Sequence, residues 1–231
     1  MKVSHCVFKT ACTLFFLYLS ILPPCTGYLN ATDQDIGRFT GQGGPFLHRH
    51  IDDLVLIDPT RQREIPLKIY YPQNPPGPAP ILLLSHGMGG SKTSSNWMGR
   101  YLASHGYICI FLTHFGSDNS LLDFSKGIQE NVEKLFQAFW GMKDTLDRPQ
   151  DIIFVLDSLQ KIESSRPVLK GKMDLKKIGL AGHSFGAFTA LSVAGGYAEP
   201  VRLIYGRTFD DPRPLAFLAL SPPGTPPGVD P

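Results

Sequence analysis

The stretch Lys176–Leu191, KKIGLAGHSFGAFTAL, decides the fold. An apolar run ending in glycine leads straight into Gly182-His183-Ser184-Phe185-Gly186, and a second apolar run, AFTAL, follows. Gly-x-Ser-x-Gly by itself says little in a chain with 23 glycines. Its setting says more. A buried strand that turns into a helix within a few residues is the strand–turn–helix of a nucleophile elbow. At such a bend the serine is strained into positive φ, and side chains two positions away on either side collide with neighbouring backbone. Gly182 and Gly186 remove that collision, and Ala187 keeps the helix close to the sheet. Ser184 is the candidate nucleophile; the bland alternative is a solvated serine in an ordinary turn.

Working outward, strand and helix patterns alternate. HRHIDDLVLID (His48–Asp58) and EIPLKIYYP (Glu64–Pro72) have β character and suit an antiparallel hairpin across PTRQR. PILLLSHG (Pro80–Gly87) and YICIFLTH (Tyr107–His114) are continuous apolar runs, the mark of buried parallel strands. SSNWMGRYLASHG reads as a helix from about Ser94, with Trp97, Tyr101 and Leu102 on one face and Gly106 at its end. Ile128–Lys143 is helix-like, and RPQDIIFVLDSLQKI begins a helix with Pro149 in its first turn. PLAFLALS (Pro214–Ser221) is a further strand. Buried strands alternating with helices predict an α/β fold, a mostly parallel sheet with helices on both faces. Active sites in such sheets lie at the carboxyl ends of the strands. SHG, THFGSD, GHS and LSPPG all fall there.

A serine hydroxyl needs a base to take its proton, and the tetrahedral intermediate needs two N–H donors. One donor is expected from Phe185, the residue after the serine. The other is expected from Ser85-His86-Gly87-Met88-Gly89-Gly90, a glycine-rich loop closing an earlier strand, with the Met88 amide as donor. Gly87 lets backbone approach a ligand, and His86 braces the loop.

The net charge of +2 and the lack of a basic stripe argue against a nucleic-acid partner. The N-terminus reads as a signal peptide over residues 1–27. Lys2 and Lys9 precede the apolar run ACTLFFLYLSIL, which is too short to cross a bilayer comfortably, so no stable span is expected after its removal. A secreted or periplasmic product follows, with a retained anchor as the alternative. Residues 28–46 read as a flexible linker and 47–231 as a partial α/β domain. Three of the four cysteines leave with the signal. Cys109 stays in a buried strand, so neither a disulfide nor a cysteine metal site is expected. Asn30-Ala31-Thr32 is a glycosylation sequon in a eukaryotic host.

LKIYYP, LLLSHGMGGSKTSSNWMGRYLASHGY, THFGSD, LDRPQDIIFVLD and IGLAGHSFGAFTAL together resemble a family of exported α/β-hydrolases. Its members are grouped with dienelactone hydrolases and are related to platelet-activating-factor acetylhydrolases. The resemblance covers about Leu67 to Gly224. It implies an α/β-hydrolase fold, hydrolysis of carboxylic esters (short-chain or phospholipid acyl esters) through an acyl-serine, and neither metal nor organic cofactor. By position it makes Ser184 the nucleophile and Phe185 and Met88 the oxyanion donors. Two departures stand out. Dienelactone hydrolases proper carry cysteine where this chain has Ser184. Where the acetylhydrolases place the triad acid, this chain has Ser221, in LSPPG.

The triad order of this fold is Ser, acid, His, yet all seven histidines, His5 through His183, precede Ser184. His114 is the best available substitute base, with shaping of the site wall beside Gly116 and Asp118 as its plainer role. Glu199, Asp210, Asp211 and Asp230 follow the serine but are poorly placed. The expectation is a chain lacking its last strands and helices, with acid and histidine beyond residue 231. Such a chain has an open edge beside Pro214–Ser221, poor solubility and little activity of its own. The rival reading is an inactive hydrolase-like binding protein. Phe124, Leu135, Phe136, Phe139 and Trp140 in the insertion Gly116–Asp147 suit either core or a cap over the site, core being the commoner use of such spacing. Arg148 before Pro149 suits either holding a carboxylate or bracing the loop, bracing being the preferred reading.

Overall fold

The sequence folds around runs such as Ile81–Leu84 and Ile108–Leu112, which are apolar on both strand faces and so need cover on both. A computed structural model describes residues 43–123, 125–139, 142–196, 206 and 208–223. Its strands are β1 (His48–Asp58), β2 (Arg63–Pro72), β3 (Ala79–Ser85), β4 (Ile108–Leu112), β5 (Met173–His183) and β6 (Pro214–Leu220). They form one sheet in the order β1-β2-β4-β3-β5-β6. The β1–β2 hairpin and the β2–β4 pair are antiparallel, and β4, β3, β5 and β6 run parallel.

Parallel neighbours need crossovers, and helices supply them. Among the described residues these are α1 (Asn96–Ser104), α2 (Ile128–Phe139), α3 (Met142–Ser165) and α4 (Phe185–Val193). This is the α/β-hydrolase fold, a mostly parallel sheet flanked by helices on both faces.

The period-2 alternation of the strands sorts their side chains between two cores. Ile69, Ile81, Leu83, Ile108, Ile110, Ile178 and Leu180 face one way and pack with Ile152 and Val155 of α3 and Ala190 and Val193 of α4. Tyr70, Leu84, Cys109, Phe111 and Ala181 face the other and pack under α1. Burial without a charged neighbour pushes the Cys109 thiol up to about 12, so it is an inert core group.

Two expectations need correction. Pro149 is not in the first turn of its helix. α3 starts at Met142, so the proline lies inside it. An interior proline has no N–H to donate along the helix; separately, Arg61 Nη1 donates to the Asp147 carbonyl at 3.2 Å. Trp97 does not share a buried face with Leu102. α1 turns Met98, Gly99, Leu102 and Ala103 toward Tyr70 and Phe111, which leaves Trp97 64% exposed.

Gly44 and Phe46, read above as linker, donate backbone hydrogen bonds to Ser104 Oγ (2.8 Å) and to the Ser104 carbonyl (3.0 Å). The signal segment, the sequon, and residues 224–231 lie outside the described residues, as do Phe124, Trp140 and the side chains of Leu135, Phe136 and Phe139. None of the helices among the described residues is long and apolar enough to cross a membrane.

Candidate active site

Ser184 joins β5 to α4 with φ 52° and ψ −119°, a left-handed conformation that L-residues rarely adopt. The bend is as tight as its glycines suggest. A Cβ at Gly182 would overlap the Gly186 carbonyl, and one at Gly186 would overlap the Ser85 carbonyl. The Ser184 amide is held by the Leu220 carbonyl at the end of β6, at 2.9 Å. Ser184 stands at the N-cap position of α4, yet its hydroxyl makes no capping hydrogen bond. A serine retained only to start a helix would use that oxygen on the first-turn amides.

The loop after β3 comes directly against this bend. A side chain on Gly87 would lie 3.4 Å from Ser184 Cβ and 3.3 Å from the His183 carbonyl. Met88, one residue on, lines the same cleft as Ser184, and its amide donates no hydrogen bond among the described residues. The cleft holds about 530 Å³ and is walled by Met88, Trp97, Met98, His183 and Leu220. Ser184, half-buried, and His183, exposed, both line it.

The loop is held on several sides. The Gly89 amide donates to the Ser117 carbonyl at 2.9 Å, and the Lys92 amide to Thr113 Oγ1 at 2.9 Å. Lys92 Nζ reaches Asp52 Oδ1 at 3.0 Å and the Asp52 carbonyl at 2.6 Å. His86 accepts the His114 amide on Nε2 at 3.0 Å, so Nδ1 carries the proton and donates to the Gly87 carbonyl at 2.6 Å. His86 thus ties the Gly87 carbonyl to the His114 amide.

His114 is neither a substitute base nor a simple wall residue. It is wholly buried. Its Nδ1–H donates to Asp151 Oδ2 at 2.9 Å, and its Nε2 accepts from Ser85 Oγ at 3.0 Å. Asp151 in turn meets Arg63 Nε at 2.9 Å and Arg61 Nη1 at 2.8 Å. Burial, reinforced by the Arg148, Arg63 and Arg61 charges, holds the His114 imidazole well below the usual histidine range. Burial does the same to His86, with Arg148 and His114 adding to it. Both rings are neutral and committed to structural hydrogen bonds.

Arg148 braces, as anticipated, and its reach is larger than the sequence suggested. It is fully buried and donates to Thr189 Oγ1 (3.0 Å), Ser117 Oγ (2.7 Å), Ser85 Oγ (3.0 Å) and the His86 carbonyl. Sequence reading missed Ser85, Ser117, Asp151 and Thr189. The one available signal was the pair Arg148 and Asp151, charged residues inside a segment whose apolar positions mark it as core-facing.

The family Platelet-activating factor acetylhydrolase, isoform II, matches residues 60–135, which include the Met88 loop. Over that stretch the chain is similar to platelet-activating factor acetylhydrolases. The platelet-activating factor acetylhydrolases of Canis lupus familiaris and Bos taurus are each 26% identical to it, over 48% of this chain and 31% of theirs. The chain therefore spans about a third of the length of the curated relatives it matches. Among solved structures, a ferulic acid esterase from Streptomyces cinnamoneus is 24% identical, with a TM-score of 0.43, over 64% of this chain and 54% of that one. The family match stops before the Ser184 elbow, so the elbow rests on its own geometry.

Proposed function

We propose that this chain carries the nucleophile and oxyanion hole of an exported serine hydrolase acting on carboxylic esters. The relatives' names point to ester substrates, and one observation carries the assignment. Ser184 holds a strained positive φ with no helix-capping bond to offset it, in the wall of a cleft. Backbone strain of this kind costs about 1–3 kcal/mol and concentrates at functional sites.

In the proposed reaction Ser184 Oγ gives its proton to a base and bonds to the acyl carbon. Negative charge on the former carbonyl oxygen is met by the Phe185 and Met88 amides. The ester C–O bond then breaks, and the alcohol leaves with the proton. Water next attacks the acyl-serine, releasing the carboxylic acid and restoring the hydroxyl. The base and its carboxylate are proposed to lie on chain beyond Pro231, since His86 and His114 are already bound and no histidine follows Ser184. Short acyl esters and phospholipid acyl esters are the proposed substrate classes; the cleft's apolar walls, Met88, Trp97, Met98 and Leu220, suit an acyl chain.

The test is a fluorophosphonate probe, which phosphonylates activated serines. The full-length protein is expected to take up one label at Ser184, and Ser184→Ala to take up none and lose p-nitrophenyl ester turnover. Labelling that survives Ser184→Ala would overturn the assignment. An unlabelled wild type would favour the non-catalytic binding protein.

A further inference from the structure

We propose that Arg148 is a positioning residue for the oxyanion hole, a role that rests on the serine-hydrolase assignment above. The two amide donors sit on different elements. Met88 follows β3, and Phe185 opens α4. Nothing in the covalent chain fixes their mutual distance, yet an oxyanion hole works only when both hydrogen bonds form at once.

Arg148 spans the gap from beneath. On the loop side, Nη2 donates to the His86 carbonyl and to Ser85 Oγ at 3.0 Å, two and three residues before Met88. On the elbow side, Nε donates to Thr189 Oγ1 at 3.0 Å, and that hydroxyl donates to the Phe185 carbonyl at 3.0 Å. The guanidinium lies 4.6 Å from the centre of the Phe185 ring. Nη1 donates to Ser117 Oγ at 2.7 Å, and the Ser117 carbonyl accepts the Gly89 amide. One planar cation thus reaches backbone or side chains next to both donors and behind the loop that bears one of them.

Arginine suits this task and lysine does not. A guanidinium offers five donors in a fixed plane, whereas an ammonium offers three from a single point. The orientation of the fork is fixed from behind. Ser85 Oγ, which accepts from Arg148, donates to His114 Nε2, and His114 donates to Asp151.

The experiment uses the full-length protein, with Arg148→Lys, Arg148→Met and the milder Thr189→Val, which cuts only the elbow arm. A fluorophosphonate first counts the active sites in each preparation. Turnover of p-nitrophenyl butyrate is then expressed per labelled site, and the labelling rate constant is measured beside it. Displacing one donor by about 1 Å costs about 10²-fold. Both arginine variants are expected to lose about 10²-fold in kcat per site and in labelling rate, with KM within about twofold. Thr189→Val is expected to lose about tenfold. If labelled sites become fewer while each keeps wild-type kcat and labelling rate, Arg148 only supports folding and the proposal is overturned. If the arginine variants do not fold, an unchanged per-site rate in Thr189→Val overturns it. If Ser184→Ala still labels, the parent assignment fails instead.

Discussion

His86 and His114 each spend both ring nitrogens on hydrogen bonds that require a neutral imidazole, and their neighbours Arg148, Arg61 and Arg63 are cations. The consequence for stability has a definite sign. In the unfolded chain these rings take up protons below about pH 6.5, whereas in the fold burial holds both well below that value. The unfolded state therefore binds more protons under acid, and stability falls as pH drops through 6.5. Each such ring contributes up to about 1.4 kcal/mol per pH unit in that window, and none above it. Urea midpoints are expected to be flat from pH 7 to 8 and clearly lower at pH 5.5. Equal midpoints at pH 5.5 and 7.5 would show that the rings accept protons in the folded protein. At this scale the sequence was legible wherever the chemistry was local. Gly182, Gly186 and Ser184 lie within five residues, and the bend they form follows from steric rules. The Arg148–Ser85–His114–Asp151 chain was not legible, because its hydrogen-bonded pairs lie 29 to 63 residues apart and meet only when β3, β4 and α3 pack.

At the scale of elements, strands were read well because each central run is apolar throughout, and only a doubly covered strand tolerates that. Helices were read less well where two signals competed. Pro149 looked like a helix start, but the segment before it is helical enough to place the start at Met142. On α1 the aromatic residue drew the eye, while the element seats on its small residues. Gly99 and Ala103 let it approach the rings of Tyr70 and Phe111, and Trp97 is turned to the cleft instead. This makes Trp97 a wall residue with little part in packing. Trp97→Ala is expected to change unfolding free energy by no more than about 0.5 kcal/mol, as for exposed positions generally. In the full-length protein it is expected to raise KM for longer p-nitrophenyl esters more than for the acetate. A KM unchanged across the series would remove Trp97 from the acyl wall, and a large loss of stability would mean that α1 depends on it.

At the scale of the whole molecule, the sheet's two edges differ. β1 carries Arg49, Asp52, Asp53 and Asp58 and is charged in the manner of an edge that stays unpaired. β6 reads PLAFLAL and has no charge at all. Its register with β5 is parallel, and no strand pairs with its other side among the described residues. Leu215 is 71% exposed and Leu218 50%, and Phe217 and Leu220 are also exposed. These side chains belong to both faces of the strand, since odd and even positions point opposite ways. A flat, uncharged, apolar edge is a template for pairing with another chain. The 231-residue chain is therefore expected to self-associate at micromolar concentration, seen as light scattering and as fluorescence of a hydrophobic dye. Leu218→Lys puts a charge on that edge without touching the two cores, so it is expected to lower both signals while moving the urea midpoint little. Leu83→Lys, which buries the same charge inside the sheet, is expected to abolish folding. A wild-type chain that stays monomeric and dye-free at about 100 μM would show that β6 is covered, and the reading of β6 as an exposed pairing edge would fall with it.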